Sequence, residues 1–314
     1  MGGDKAPDEI VAGAIQAAKE LGAPVVLVGD PDRLPDTGGL DVIAASEVVG
    51  MADDPAAGVR RKKDSSIVRA AEAVRDGRAS AMVSAGNTGA AMAAALLRMG
   101  RLSGVPRPAI ATPIPVPGSS PTVLLDAGAN ADCEPGWLLQ FAQMGATFAT
   151  ARYGIGRPRV ALLSIGEEAT KGNALVKEAH ALLAASGLNF IGNVEGRDLM
   201  SDAADVVVTD GFTGNVALKS LEGALKFLVG AVIGAIGTSD ETRKAGDVLL
   251  PALAPMAEQL DPDATGGAML LGVKGVCIIS HGSSSARAVV NAIRVASEMV
   301  DGELVARLSE AVRA

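Results

Sequence analysis

The sequence predicts an α/β fold, a doubly wound and mostly parallel β-sheet with helices on both faces. Short apolar runs alternate with longer helical stretches along the chain, which is the pattern of repeated βαβ units. Glycines, of which there are 38, cluster after the apolar runs, as expected of loops at strand ends. Hydrophobic residues make up 48% of the 314 residues, so we expect one domain, 1–314, with two lobes around one sheet.

The elements follow in order from the spacing of apolar residues. Residues 7–21 place Ile10, Val11 and Ala14 on one helical face, and residues 24–30 are predicted to form a buried strand. Helix 64–76 begins with a serine-rich capping cluster. Further short apolar runs predict strands at 81–84, 109–112, 123–126, 160–165, 206–209 and 276–280.

Two regions depart from this alternation. Residues 110–117 contain three prolines, which favour an edge strand or an extended connection because proline donates no ladder hydrogen bond. Residues 216–260 are predicted to be mainly helical, with an apolar face formed by Leu221, Ala224, Leu225, Leu228, Val229 and Val232. This region is either a core or dimer-interface helix or a hydrophobic tip that touches a bilayer, since the run 227–236 is too short to span one.

Composition argues against several classes of function. The net charge of −8 disfavours nucleic-acid binding through phosphate neutralisation. Two cysteines, Cys133 and Cys277, give no disulfide framework, and two histidines cannot by themselves make a His-rich metal site. We expect no secretory signal peptide, and no apolar run reaches the roughly 18–20 residues that span a bilayer. We therefore expect a cytoplasmic protein, with peripheral membrane contact as the open alternative.

The first glycine-rich loop, Ser84–Ala90, follows a predicted strand and opens a helix near Thr88. Ligands of parallel sheets bind beyond the carboxyl ends of the strands. Small residues and a helix N-terminus suit phosphate or another anion, although the loop is neither a P-loop nor a dinucleotide fingerprint. A capped helix behind a tight turn would give the same pattern.

Four further segments follow predicted strands. Asp126–Asn130 and Asp210–Asn215 each join a strand to a helix through glycine. In Ser164–Glu168, the carboxylates of Glu167 and Glu168 either perform acid–base chemistry, orient Lys171, or only begin a helix. His281 ends the strand 276–280, where a histidine is either a general acid or base or a structural hydrogen-bonding residue.

Together these segments resemble the phosphate acyltransferase family of bacterial phospholipid synthesis, also called acyl-ACP:phosphate acyltransferase. The matching stretches keep the same order across essentially the whole chain: Met1–Asp4, Arg61–Ser66, Val83–Ala90, Asp126–Cys133, Asp210–Asn215 and Gly266–Ser284. The resemblance implies a fold like that of the phosphate acetyltransferases and the isocitrate/isopropylmalate dehydrogenases.

Two positions depart from the family pattern. Family members normally carry a short strand and an acidic residue just before the Met-Gly-Gly-Asp motif, where this chain begins. We therefore expect the sheet to lack one central or near-central strand. An aromatic residue often precedes the paired glycines, where this chain has Asp261–Thr265, and this difference bears on local packing of the acyl chain.

The resemblance implies that inorganic phosphate attacks the thioester of an acyl-carrier protein, reversibly, and gives acyl phosphate for phospholipid synthesis. We expect backbone amides of 86–89 with Asn87 and Thr88 to bind phosphate, helped by Lys171. Asn215 or His281 is expected to stabilise the oxyanion or protonate sulfur. The other expected substrate-binding residues are Gly3, Asp4, Lys62, Lys63, Ser84, Gly86, Gly89, Asp126, Asn130, Glu167, Glu168, Asp210, Phe212 and Thr213. The chemistry requires no metal or organic cofactor.

The expected partners follow from the same resemblance. The basic run Arg60–Lys63 either docks the acidic acyl-carrier protein or is a solvated helix entry. A homodimer and transfer of the product to a membrane glycerol-3-phosphate acyltransferase are expected, and nucleic acid is not.

Three alternatives remain: a phosphate acetyltransferase-like enzyme, a dehydrogenase-like enzyme on the same fold, and a non-catalytic scaffold that binds the carrier protein. The sequence shows no aspartate cluster and no dinucleotide fingerprint for the dehydrogenase. Production of acyl phosphate distinguishes the enzyme from the scaffold.

Overall fold

The computed structural model describes residues 1–313, in which strands and helices alternate for most of the chain. The strands, numbered in chain order, are β1 (Val26–Gly29), β2 (Asp41–Ala44), β3 (Ala81–Ser84), β4 (Ala109–Ile114), β5 (Thr122–Leu125), β6 (Val160–Leu163), β7 (Phe190–Val194), β8 (Val206–Val208), β9 (Ala268–Leu271) and β10 (Val276–Ile279). The helices are α1 (Asp8–Leu21), α2 (Pro55–Arg61), α3 (Ser66–Arg75), α4 (Thr88–Ala94), α5 (Pro135–Tyr153), α6 (Ala174–Ala184), α7 (Gly211–Ile236), α8 (Asp240–Gln259), α9 (Ala286–Asp301) and α10 (Leu304–Ala311). A π-helical turn, Ala95–Met99, extends α4, and two short 3-10 helices cover Gly196–Met200 and Pro262–Ala264.

The strands form two sheets. β1 and β2 make a parallel pair, and the other eight lie in the order β3-β10-β9-β4-β5-β8-β6-β7. Within the large sheet β9 and β4 run antiparallel to their neighbours, while the outer pairings are parallel. The sheet is therefore mixed, which corrects the expectation of a mostly parallel one. The connections 115–121 and 272–275 are too short for the crossover that a parallel pair requires.

The two parallel blocks of the large sheet run in opposite directions and end at the same level. The pairing registers place one residue of each strand in a continuous row across the sheet: Val83, Ile278, Met269, Ala111, Leu125, Val208, Leu162 and Asn193. β3, β10, β5, β8 and β6 each end at this row or one residue beyond it. The loops after β3 and β10 therefore approach this row from one side, and the loops after β5, β8 and β6 approach it from the other. The sequence alone predicted that all of them lie at one edge of the sheet.

The proline-rich strand β4 is an interior strand, which corrects the prediction of an edge strand or extended connection. It lies between β9 and β5. Pairing with β9 stops at Ala111, whereas pairing with β5 continues through Pro113 to Ile114. Pro113 thus has a strand on one side only, so its missing N–H breaks no ladder on the other side.

Alternating side chains of the large sheet are buried on opposite faces, as the period of a strand requires. Val123 and Leu125 of β5 pack in a cluster with α5, α9 and α10. Leu124, between them, packs on the other face in a cluster that includes Leu218 and Leu221 of α7. Met82, Ile110 and Cys277 form a further cluster with α3 and α4. Helices therefore cover both faces, as the sequence predicts.

A cavity of about 1160 Å³ separates the small sheet from the large one. β1 and β3, both edge strands, line it together with α1 and the start of the chain. Burial in this cavity, followed by the charge of Arg33, lowers the pKa of the Met1 amino group. The expected absence of one strand stays a prediction.

The helices α7 and α8 form an arm whose outer half is exposed. Phe227, Leu228 and Val229 of α7 are 78%, 59% and 51% exposed, and Val248 of α8 is 79% exposed. This half of the arm is not part of the chain's own core. Within residues 1–313, no helix combines the length and apolar character needed to cross a bilayer.

Candidate active site

The N-terminal segment lies between the loops that follow β3 and β10. The backbone N–H of Asp4 donates to the carbonyl oxygen of Gly282 at 2.9 Å. A Cβ on Gly3 would lie 2.4 Å from the carbonyl oxygen of Ala85 and 3.2 Å from that of Gly282. Only glycine fits this close approach. Gly3 and Asp4, two of the predicted site residues, therefore lie against both loops.

The side chain of Asn87 is fully engaged within the protein. Its Oδ1 accepts the backbone N–H of Ala90 at 3.0 Å and so caps α4. Its Nδ2 lies 3.1–3.3 Å from carbonyl oxygens of Gly50, Met51 and Asp53. An amide nitrogen carries only two hydrogens, so these contacts leave the side chain no free donor for a ligand.

The backbone of the same loop is less engaged than its side chain. The N–H of Gly86 donates to Ser84 Oγ at 3.3 Å. Among the residues described, the N–H groups of Thr88 and Gly89, which begin α4, donate to no protein acceptor. Gly89 also lets α2 approach, because a Cβ there would lie 2.7 Å from the ring of Pro55. The start of α4 thus offers two free donors.

Lys62 supports this loop instead of facing solvent freely. Its Nζ donates to Asp53 Oδ2 at 2.6 Å and to the carbonyl oxygen of Val48 at 2.7 Å. The hydrogen bond from Lys62, followed by one from the backbone of Gly50, lowers the pKa of Asp53. Lys62 therefore fixes the loop 50–53 on which Asn87 is anchored, whereas Lys63 is exposed.

Asp126 anchors the loop after β5 from a fully buried position. Its carboxylate accepts the backbone N–H groups of Ile110, Gly128, Ala129 and Asn130 and the side-chain amide of Asn130, at 2.7–3.1 Å. Burial raises the pKa of Asp126, and these hydrogen bonds oppose the rise. Both predicted residues, Asp126 and Asn130, are thus committed to the shape of the loop.

The start of α7 is locked against that loop. Asp210 caps the helix by accepting the N–H and the hydroxyl of Thr213, both at 2.8 Å. A Cβ on Gly214 would lie 1.9 Å from the carbonyl oxygen of Asp126, so no other residue fits there. Phe212 is 67% exposed, so most of its side chain is in contact with solvent.

A second cavity, of about 170 Å³, lies beneath the first turns of α7. Asn215 lines it and donates from Nδ2 to the carbonyl oxygen of Ala127 at 3.2 Å. Thr88 from the start of α4 and His281 from the end of β10 line it as well. The structure thereby brings three of the predicted site residues to one cavity, from three distant segments of the chain.

Lys219 and Glu222 of α7 complete the polar lining of this cavity. Lys219 Nζ donates to Glu222 Oε2 at 2.8 Å, and Glu222 Oε1 lies 3.6 Å from His281 Nε2. The contact with His281, followed by burial in the opposite direction and by Lys219, lowers the pKa of Glu222 to about 2. Glu222 is therefore ionised at neutral pH and holds a cation and an imidazole beside each other.

Known proteins resemble this chain over nearly its whole length. The family described as "Fatty acid synthesis protein" matches residues 1–307. A protein named "Phosphate acyltransferase" from Heliobacterium modesticaldum is 50% identical over 99% of this chain and 95% of the relative. One of the same name from Pelotomaculum thermopropionicum is 52% identical over 97% of this chain and 91% of the relative. The chain belongs to the phosphate acyltransferase family. The resemblance drawn from the motifs is confirmed, and the chain is an enzyme of the acyltransferase class.

Solved structures show the same fold at low identity. A phosphotransacetylase from Streptococcus pyogenes superposes with a TM-score of 0.61 at 17% identity, covering 94% of this chain and 92% of its own. The 4-hydroxythreonine-4-phosphate dehydrogenase from Klebsiella pneumoniae gives a TM-score of 0.51 at 14% identity, covering 93% and 95%. The architecture is thus shared between acyl-transferring enzymes and a dehydrogenase.

Of the predicted site residues, only Thr88, Asn215 and His281 line the small cavity, and those that follow β6 lie away from it. Glu167, Glu168 and Lys171 form the exposed turn between β6 and α6. Glu167 Oε1 is 3.8 Å from Arg197, and the carbonyl of Glu168 accepts the side-chain amide of Asn193 at 3.0 Å. These contacts tie the turn to β7 and the 3-10 helix after it, and not to the residues around His281.

The cysteines carry no sign of an activated nucleophile. Cys277 is fully buried in β10, and Cys133 is half-buried after β5. Burial raises the pKa of each thiol to about 12. Because the thiolate is the reactive form, an acyl-cysteine intermediate is disfavoured.

The sequence patterns missed Lys219 and Glu222. Both lie inside a long helix, whereas most of the predicted site residues lie in loops at strand ends. The available signal was their placement on α7: Asn215, Lys219 and Glu222 recur at helical spacing on the face that also carries Leu218. Lys219 and Glu222 are thus identifiable as a pair of charged residues beside the apolar face of a helix that directly follows a predicted site loop.

Proposed function

We propose that this acyltransferase moves a fatty acyl group, reversibly, from acyl-[acyl-carrier protein] to inorganic phosphate, and so supplies acyl phosphate for glycerolipid synthesis. The observation that carries the proposal is the cavity beneath α7. Thr88 from the start of α4, Lys219 and the carboxylate-paired His281 line it together with an apolar wall. The names of the relatives that are 50% and 52% identical support the same reaction.

Phosphate binds at the start of α4 in this proposal. The N–H groups of Thr88 and Gly89 are free, and the helix dipole favours an anion beside them. Lys219, half-exposed across the cavity, supplies the positive charge. Asn87 acts as a positioning residue because its side chain is committed to the cap and to the loop 50–53. Lys171 lies outside the cavity, so Lys219 takes the role of phosphate-binding cation.

The transfer itself needs orientation and one proton. A phosphate oxygen attacks the thioester carbonyl, the C–S bond breaks, and its electron pair goes to sulfur. His281, held by Glu222, gives a proton to the departing thiolate, whose reference pKa is about 8.5. Asn215 has one amide hydrogen left after its bond to Ala127, and it donates this hydrogen to the developing oxyanion. Reversal of each step returns the acyl group to the carrier thiol.

The acyl-carrier protein docks on the basic end of α2. Arg60, Arg61 and Lys63 are exposed, and no acidic partner of theirs occurs in the described part of the chain. α2 packs against the start of α4 through Pro55 and Gly89. An acidic carrier attracted there would arrive beside the phosphate-binding loop, which favours fast association.

The exposed arm of α7 and α8 carries the remaining partners of the proposal. A homodimer would cover part of the exposed apolar surface of the arm, which includes Phe227, Leu228 and Val248, and leave the rest open to a bilayer. Peripheral contact with a bilayer would then allow hand-off of acyl phosphate to a membrane glycerol-3-phosphate acyltransferase. Light scattering measures the dimer, and flotation with anionic vesicles measures membrane contact. A monomer with no vesicle binding would overturn this part alone.

The reaction is tested by trapping acyl phosphate as its hydroxamate, with palmitoyl-acyl-carrier protein as donor. We expect product only when phosphate is present, and a loss of roughly 10²-fold or more in kcat for His281→Asn. Absence of phosphate-dependent product from the wild-type chain overturns the proposal. Oxidation or reduction of a nicotinamide cofactor by the same sample would favour the dehydrogenase alternative.

A further inference from the structure

The cavity beneath α7 has two chemically different ends. Its polar end is formed by the residues that follow β3 and β10, Thr88, Ser280 and His281. Its apolar end is formed by Ile114 and Pro115 at the end of β4, Met200 of the 3-10 helix, and Leu221 and Leu225 of α7. A cavity with a polar mouth and an apolar interior suits a ligand with a polar head and a hydrocarbon tail.

One strand, β9, lies between the two ends of the cavity. β9 lies between β10, which carries His281, and β4, which carries Ile114. Two strand spacings amount to about 10 Å. A hydrocarbon chain that starts at the polar end therefore has to cross β9 and run under α7 before it meets Met200.

The apolar side chains that line the cavity differ in how tightly they are packed. Ile114 is buried, and Met200, Leu218 and Leu221 pack with it in the cluster on this face of the sheet. Leu225, one turn further along α7 than Leu221, is only half-buried and contributes to no core cluster of the described residues. A half-buried leucine in the apolar lining of the cavity is available to contact a ligand.

We propose that the apolar end of this cavity is the acyl-chain subsite, and that Leu225 and Met200 set the length of chain it accepts. The inference rests on the proposed function, because it places the thioester carbonyl at the polar end near His281. Its physical basis is burial, because each methylene of the chain that is removed from water adds to the affinity. A longer chain gains affinity until it reaches the side chains at the end of the cavity.

The test compares Leu225→Trp with Lys226→Trp, a control at the next position of the same helix, where the side chain is exposed and lies outside the cavity lining. The measured quantity is the ratio of kcat/KM for palmitoyl- and octanoyl-acyl-carrier protein. We expect the ratio to fall roughly tenfold or more in Leu225→Trp and to stay unchanged in Lys226→Trp. Leu225→Phe, a smaller change, is expected to give an intermediate ratio and guards against misfolding of the tryptophan variant. An unchanged ratio in both Leu225 variants overturns the subsite.

A binding measurement separates this inference from the proposed reaction. By calorimetry, the wild-type chain is expected to bind palmitate more tightly than octanoate, and Leu225→Trp to lose the difference. If acyl phosphate forms but the variants keep the wild-type ratio, the subsite is wrong and the function stands. If no acyl phosphate forms but palmitate binding depends on Leu225, the subsite stands and the function is wrong. If palmitate does not bind and no acyl phosphate forms, both are overturned.

Discussion

Glu222 Oε1 lies 3.6 Å from Nε2 of His281, and its other oxygen accepts Lys219 Nζ at 2.8 Å. The carboxylate comes from the third turn of α7 and the imidazole from the end of β10. A half-exposed lysine and a histidine would otherwise have no fixed relation to each other. This contact therefore determines the polar end of the cavity.

The contact predicts a specific dependence of stability on pH. The folded-state pKa of Glu222 is about 2, below its ordinary value of 4.5. A carboxylate with a depressed pKa stabilises the fold above its unfolded pKa, and this stabilisation is lost as the pH falls through the folded pKa. We expect Glu222→Gln to be less stable than wild type by about 1–3 kcal/mol at pH 7. The difference should shrink between pH 4.5 and 2, as measured by urea denaturation. A difference that is constant over this range would contradict the assignment.

Two glycines of α7 should respond to alanine in opposite directions. At Gly214 the added Cβ would meet the carbonyl oxygen of Asp126 at 1.9 Å, whereas at Gly223 nothing lies within 4 Å. We expect Gly214→Ala to cost about 3 kcal/mol of unfolding free energy and to impair activity by shifting α7. Gly223→Ala should instead stabilise by about 0.5–1 kcal/mol, because glycine weakens a helix interior. Thermal melts that rank the two variants in the reverse order would show that α7 does not begin against the loop after β5.

Substitution of the neighbouring lysines Lys62 and Lys63 should have different effects, because the first has a structural role and the second a proposed docking role. Lys62→Met removes the bonds to Asp53 and Val48 and should lower the melting temperature. Lys63→Met removes an exposed cation and should leave the melting temperature unchanged. Kinetics with the carrier protein should show the complement: Lys63→Met lowers kcat/KM and weakens its dependence on salt. If both Lys63→Met and Arg61→Met keep the wild-type kcat/KM and its salt dependence, docking at the end of α2 is contradicted.

Cys133 provides a negative prediction. Burial raises the pKa of its thiol to about 12, so the thiolate is scarce at neutral pH and a covalent route is disfavoured. Cys133→Ser should keep kcat within about twofold of wild type, as measured by the hydroxamate assay. A loss of several hundredfold with the fold intact would require an acyl-cysteine intermediate.

The local pattern of the chain predicted much of the secondary structure. The strands at β3, β4, β5, β6, β8 and β10 occur where apolar runs are bounded by turn residues. The patterns do not predict β2, β7 and β9, which contain a charge, a glycine or only weak alternation. The patterns also do not predict that β9 and β4 pair in antiparallel fashion, because the same apolar run can form a parallel or an antiparallel pair.

By itself, the sequence determined the α/β class, the order of the elements, the glycine loops and, through its motifs, the family. These features depend on residues close together in the chain. Only the tertiary structure decided that Asn87 and Lys62 support a loop, that Lys171 lies away from the cavity, and that Glu222 and Lys219 join His281. Such contacts link segments that are distant in sequence, and they arise from the register of the strands and the path of α7 across the sheet. Hydrophobic periodicity specifies which face of a helix is buried, but not which side chains of another strand it meets.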